Sequence, residues 1–136
     1  MNTAVTYYSK TGHTKKVAEA IAKAAGCAAS DIACYKAAPV DVLFIGGSIY
    51  GGVLEPTLAS FISGLDPKAV GSAVLFTTYI KEANAVGLMK QLLEQKGIPV
   101  SAVFSCKGQF LLFNRKRPNA ADLEEAAKFA AAVVCK

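Results

Sequence analysis

No apolar run in this chain approaches the ~18 residues that a membrane-spanning helix needs, so no span is expected. The chain does not open on a basic, then long apolar, then small-residue pattern, and a cytoplasmic location is the expectation. There is one histidine, His13, and any histidine chemistry has to come from that position. The four cysteines, Cys27, Cys34, Cys106 and Cys135, form no C-x-x-C pair and are too scattered for a zinc site. They are expected to be reduced and mostly packed, and no metal site is expected. Acidic residues number 10 against 15 Lys and Arg, a net charge of +5. That mild excess suits acidic partners or anionic ligands and does not make a dedicated nucleic-acid binder.

Several catalytic signatures are missing as well. There is no Gly-Lys-Ser/Thr of a nucleotide triphosphatase and no G-x-G-x-x-G of a dinucleotide fold. Gly46-x-Ser48 begins like a nucleophile elbow, but Tyr50 stands where the elbow needs glycine. The sole histidine also precedes Ser48, opposite to the α/β-hydrolase order. A Cys-x5-Arg phosphatase fails because Leu112 occupies that offset from Cys106. A response regulator needs acidic residues at the ends of the first and third strands, which here read Tyr8-Ser9 and Ile45-Gly46. No side chain is an obvious acid or base, so no catalytic residue is expected.

What the chain does have is alternation. At 136 residues it makes one domain, residues 1–136, with enough length for a sizeable core. Apolar runs predict strands at Ala4–Tyr8, Ile32–Tyr35, Val40–Ile45, Ala73–Phe76 and Val100–Phe104. Amphipathic patterns between them predict helices at Thr14–Ala25, Pro56–Ser63, Asn84–Lys96 and Ala120–Val134. Val17, Ile21 and Ala25, with Ala18 and Ala22, make one apolar face of the first helix, opposite Lys15, Lys16, Glu19 and Lys23. Pro56 suits a first helical turn, Gly97 a helix end, and Asn119 with Asp122 a helix start. Strands alternating with helices predict an α/β class fold, a three-layer, doubly wound, five-stranded parallel sheet. Such sheets bind ligands outside the carboxyl ends of their strands.

Three segments gather at that edge. Ser9-Lys10-Thr11-Gly12-His13-Thr14 joins the first strand to the first helix. Unpaired N–H groups and the positive end of the dipole suit a phosphate there, with hydroxyls from Ser9, Thr11 and Thr14. An ordinary βα turn with a Ser or Thr cap accounts for the same residues. The third strand leads into Gly46-Gly47-Ser48-Ile49-Tyr50-Gly51-Gly52, read as a Gly-rich loop carrying an aromatic. A turn whose Tyr50 packs on the next helix is the alternative. The fourth strand ends in Thr77-Thr78-Tyr79, again hydroxyl and aromatic. Two aromatics beside a phosphate cradle suit a planar heterocycle with a phosphate tail, such as flavin mononucleotide (FMN).

With these segments in place, the chain resembles a short flavodoxin-like protein over nearly its whole length. Its first segment resembles the family's Ser/Thr-x-Thr-Gly-x-Thr phosphate loop, and Gly-Ser-Ile-Tyr-Gly its second flavin loop. The resemblance implies strand order 2-1-3-4-5 and non-covalent FMN. The phosphate would be held by Ser9, Lys10, Thr11, Gly12, His13 and Thr14. The ring would be framed by Ser48, Ile49, Tyr50 and Gly51 with Thr77, Thr78 and Tyr79. Tyr50 takes the place of the stacking aromatic, and the peptide at Gly51 that of the one whose carbonyl turns toward the flavin N5–H. The implied function is electron transfer between a reductase donor and an acceptor enzyme. Alternatives are a flavin-dependent oxidoreductase acting on a small molecule such as a tetrapyrrole, and a binding module that kept the fold without FMN.

The chain departs from the family in charge, since many electron-carrier flavodoxins are strongly acidic. Its other unusual stretch runs from Cys106 to Pro118, with Lys107, Arg115, Lys116 and Arg117 beside Phe110 and Phe113. It reads either as a long loop with a solvated basic tip or as a docking surface for an acidic redox partner, Lys107 to Arg117.

Overall fold

A computed structural model describes residues 2–8, 13–35, 39–49, 56–79, 85–107 and 120–134. In chain order the elements are β1 (Thr3–Tyr8), α1 (His13–Ala25), β2 (Ala29–Asp31), β3 (Val40–Ile49), α2 (Pro56–Ser63), β4 (Val70–Tyr79), α3 (Ala85–Gln95), β5 (Val100–Lys107) and α4 (Ala120–Val134). The five strands form one sheet in the order β2-β1-β3-β4-β5, with every neighbouring pair parallel. This is the order that the resemblance implies, and the four helices stand within a residue or two of where the apolar periodicity puts them.

The sheet is apolar on both faces because helices cover both. Val5, Tyr7, Val42, Phe44, Val74 and Phe76 pack with Val17, Ala18, Ile21 and Ala22 of α1 and with Ala126 and Ala130 of α4. Leu43, Ile45, Ala73 and Leu75 pack on the other side with Leu58 and Ile62 of α2 and with Met89 and Leu93 of α3. Successive strand residues alternate between the two cores, as the pleat requires. The first face sets sheet aromatics against helix alanines, which lets α1 and α4 lie close to the strands. The second is filled from both sides by branched and long aliphatic chains.

Two helix ends show why the chain turns where it does. Gly26 and Gly97 have φ of 78° and 86°, the left-handed region that glycine enters without a Cβ penalty. After α3, Ile98 N–H donates to the Leu93 carbonyl and Gly97 N–H to the Glu94 carbonyl, both at 3.0 Å. After α1, Cys27 N–H donates to Ala22 O at 2.9 Å and Gly26 N–H to Lys23 O at 3.3 Å. Both are Schellman closures that satisfy the last helical carbonyls.

Strand β2 differs from expectation. The apolar stretch Ile32–Tyr35 is not a strand; the pairing residues are Ala29, Ser30 and Asp31. Residues 32–34 form a turn, with Asp31 Oδ1 accepting from Ala33 N–H and Asp31 O from Cys34 N–H, each at 2.9 Å. Ile32 is buried and Tyr35 half-buried from within that turn, with the Tyr35 ring edge-on to Phe61 at 5.6 Å. Apolar burial there comes from a turn tucked against α2. Thr6 on β1, itself fully buried, holds the short strand by donating its hydroxyl to Ser30 O at 3.0 Å.

Candidate functional site at the carboxyl edge of the sheet

The strand register lines up the residues that the sequence singles out. Tyr8, the last residue of β1, is level with Gly47 of β3, which is level with Thr77 of β4 and, beyond it, Ser105 of β5. Strand β1 stops at this row. The other three strands run two residues further, placing Ser48 beside Thr78 and Cys106, then Ile49 beside Tyr79 and Lys107. The ladder therefore brings together the backbones of Ser48 and Ile49 with those of Thr77, Thr78 and Tyr79. The helix that follows β1 in the chain, α1, begins its first turn with His13 and Thr14. Ser9, Lys10, Thr11, Gly12, Tyr50 and Gly51 lie outside the described residues, as do residues 108–119 and the expected cap Asn119.

Two expectations need correcting here. Gly46, Gly47, Ser48 and Ile49 are strand residues of β3, and Thr77, Thr78 and Tyr79 are strand residues of β4. Glycine richness suggests a loop, but these two glycines serve close packing. A Cβ on Gly46 would collide with Cε2 and Cζ of the Phe76 ring and lie 2.7 Å from its Cδ2. One on Gly47 would lie 2.5 Å from Leu58 Cδ2. Both glycines are buried, one against each core. Likewise β5 continues through Ser105, Cys106 and Lys107, beyond the expected end at Phe104. Ser105 carries no expectation in the sequence, and Cys106 and Lys107 fall in the basic segment expected after the strand; all three are residues of β5 at this edge. Their signal is the unbroken run of β-compatible residues from Val100 to Cys106, with no Gly, Pro or Asn to stop it.

The edge has a consistent chemistry. The first turn of α1 contains no acidic residue, while Lys15 and Lys16 are exposed. Val17 and Ala18, fully buried, seat that end of the helix on the sheet. Its first N–H groups have no partner within the helix and carry the positive end of the dipole. The last two residues of β1, β3, β4 and β5 are Tyr7-Tyr8, Ser48-Ile49, Thr78-Tyr79 and Cys106-Lys107, without a carboxylate. Hydroxyl-bearing residues, amides and cations make a donor set that fits a phosphate-bearing ligand. Among the described residues, no group of three or more His, Cys, Asp or Glu could hold a metal ion. Burial pushes the Cys27 thiol and the Tyr35 phenol up from their ordinary values, so both stay protonated at neutral pH.

Known proteins share this fold. The chain is similar to a flavodoxin from the domain Archaea, with TM-score 0.77 and 18% identity over 98% of this chain and 96% of that one. Against two-electron reduced Megasphaera elsdenii flavodoxin the TM-score is 0.70 and the identity 25%, over 96% and 98% of the two chains. The rubredoxin oxygen:oxidoreductase of Desulfovibrio gigas matches with TM-score 0.74 and 16% identity, over 98% of this chain but 36% of the larger one. No curated protein sequence matches. The model of the flavodoxin domain matches residues 4–111, from the second residue of β1 to beyond the end of β5, and takes in all three predicted ligand segments. The chain belongs to the flavodoxin domain family, whose cofactor is FMN.

Proposed function

We propose that this protein is a cytoplasmic FMN-dependent electron carrier, passing electrons from a reductase to an acceptor enzyme. One observation supports the reading above all: the N-terminus of α1 and the level ends of β3 and β4 meet at one edge, with no carboxylate in the last two residues of β1, β3, β4 or β5. In this reading Ser9, Lys10, Thr11, Gly12, His13 and Thr14 hold the phosphate through amides and hydroxyls. Ser48, Ile49, Tyr50 and Gly51 approach one side of the ring, and Thr77, Thr78 and Tyr79 the other. Bound FMN supplies the redox chemistry, while the chain binds it, orients it and limits water at it. The cations near this edge favour an acidic partner surface. Lys15 and Lys16 are exposed in the first turn of α1, and Lys107 ends β5 level with Tyr79, at the start of the basic segment to Arg117. Such a surface steers encounter with an oppositely charged partner in a salt-dependent way.

The test is a visible spectrum of the purified protein titrated with FMN, followed by stepwise photoreduction. Flavin bands shifted from those of free FMN, and a long-wavelength one-electron-reduced form, are expected. Substrate turnover with a chemical reductant and no partner protein would replace the carrier role by that of an oxidoreductase. Absence of binding would leave a module that kept the fold alone. Within the phosphate site, Thr11→Ala with Thr14→Ala should weaken FMN binding by ~1–3 kcal/mol; unchanged affinity would remove those residues from it.

A further inference from the structure

Four residues just below the carboxyl edge interlock, one pair on each face of the sheet. Gly46 and Phe76 are register partners on β3 and β4, and the Phe76 ring lies where a Gly46 side chain would be. On the opposite face, Leu58 fills the place of a Gly47 side chain. Phe76 and Leu58 are both completely or almost completely buried, so neither has room to move aside. The two contacts involve adjacent glycines and sit at the last two rows of β1, level with Tyr7 and Tyr8.

Their placement ties them to the segments beyond those rows. Phe76 immediately precedes Thr77, and Gly46 lies two residues before Ser48, so this contact lies directly beneath both strand ends. Leu58 belongs to the first turn of α2, which starts at Pro56. The connection that carries Tyr50 and Gly51 leaves β3 at Ile49 and enters α2 at Pro56. The Leu58–Gly47 contact therefore bolts the entry of that connection to its exit. Resting on the FMN reading above, we infer that Phe76 and Leu58 are positioning residues for the flavin ring. They fix where the strand ends Ser48–Ile49 and Thr77–Tyr79 stand relative to one another without touching the cofactor themselves. A glycine at 46 and at 47 is what lets the two side chains reach that depth.

The experiment compares purified wild type with Leu58→Val, Phe76→Leu, Gly47→Ala and the control Leu93→Ala. Leu93 is fully buried on α3 in the same core as Leu58 but outside the interlock. FMN dissociation constant, flavin band shape and thermal midpoint of the apoprotein are read for each. Leu58→Val and Phe76→Leu are expected to weaken FMN roughly 10-fold and to alter the flavin bands, since a site loosened by a fraction of an ångström loses orientation. Leu93→Ala should lower the thermal midpoint at least as far and leave affinity within about 2-fold of wild type, because a distant cavity is felt locally. Adding Leu58→Val to Gly47→Ala should return part of the affinity that Gly47→Ala loses, by relieving the collision. Wild-type affinity and bands in the Leu58 and Phe76 variants would overturn the inference, as would equal losses in the Leu93 control. A wild-type chain that binds no FMN would overturn the FMN reading and this inference together, an outcome distinct from either of those.

Discussion

The helix ends and the carboxyl edge of the sheet both depend on glycine, for opposite reasons. Where α1 and α3 finish, Gly26 and Gly97 sit in open space, and a Cβ on either would meet nothing within 4 Å. Their requirement is a left-handed backbone. At the carboxyl end Gly46 and Gly47 need no unusual φ, and their requirement is room for Phe76 and Leu58. The first pair closes helices and leads into short turns. The second lets side chains from both cores rise to the edge where the ligand segments begin. A residue that tolerates the left-handed region can serve at these two helix ends. At the carboxyl end any Cβ is excluded unless its neighbour shrinks.

Substitutions should separate the two kinds of glycine by size of effect and by what rescues them. Gly46→Ala is expected to be the most damaging, at or beyond the upper end of the ~1–3 kcal/mol usual for overpacking, because it meets a ring that is itself enclosed. Urea unfolding would show this as a lower midpoint, and a loss below about 1 kcal/mol would mean that the ring swings clear. Gly47→Ala should come next at about 1–3 kcal/mol, with Leu58→Ala recovering part of it in a double-mutant cycle. Additive effects in that cycle would show that the contact is not the cause.

Gly97→Ala should lose about 1 kcal/mol, and Gly97→Asn less, since asparagine enters the left-handed region more readily. Equal losses for the two variants would point to something other than backbone conformation. The smallest effect is expected from titration of Cys27, the residue after Gly26. Burial raises its folded-state pKa above 9.0, so more than about one unit below that pH the thiol is protonated in both states and contributes no slope. As pH rises past 9.0 the unfolded chain gives up the proton first, and stability falls until the folded pKa is passed. Tyr35 adds a decline of the same sign beginning above 10.0. Unfolding midpoints measured from about pH 8 to 10.5 should decline, and less steeply in Cys27→Ala.

Most of the architecture is legible in the sequence because helices and buried strands differ in apolar period. Val17, Ala18, Ile21 and Ala22 mark the seat of α1, and Pro56 and Gly97 punctuate as their chemistry requires. Strand β2 is displaced from its expected place because Ile32 and Tyr35 are apolar for reasons of burial in a turn, while the pairing residues Ala29, Ser30 and Asp31 carry no strand signal. The expected strand ends at Ile45, Phe76 and Phe104 fall short because glycine, threonine and serine read as loop. That Phe76 and Leu58 need those glycines is a contact between distant parts of the chain, which no local pattern displays. The candidate site is legible at its outline, as three segments on one edge. The alignment of Ser48 with Thr78 and of Tyr79 with Lys107 depends on register, which is set by the whole sheet.

Strand β2 carries a consequence for crowded solutions. Its three residues are anchored inward by the Thr6 hydroxyl, and Asp31 turns the chain away through its own carboxylate and carbonyl. A strand from another copy arriving at this rim finds only a few main-chain groups before the path bends. Stacking of copies into a growing filament needs a longer template than that, so this margin of the sheet resists seeding by its geometry.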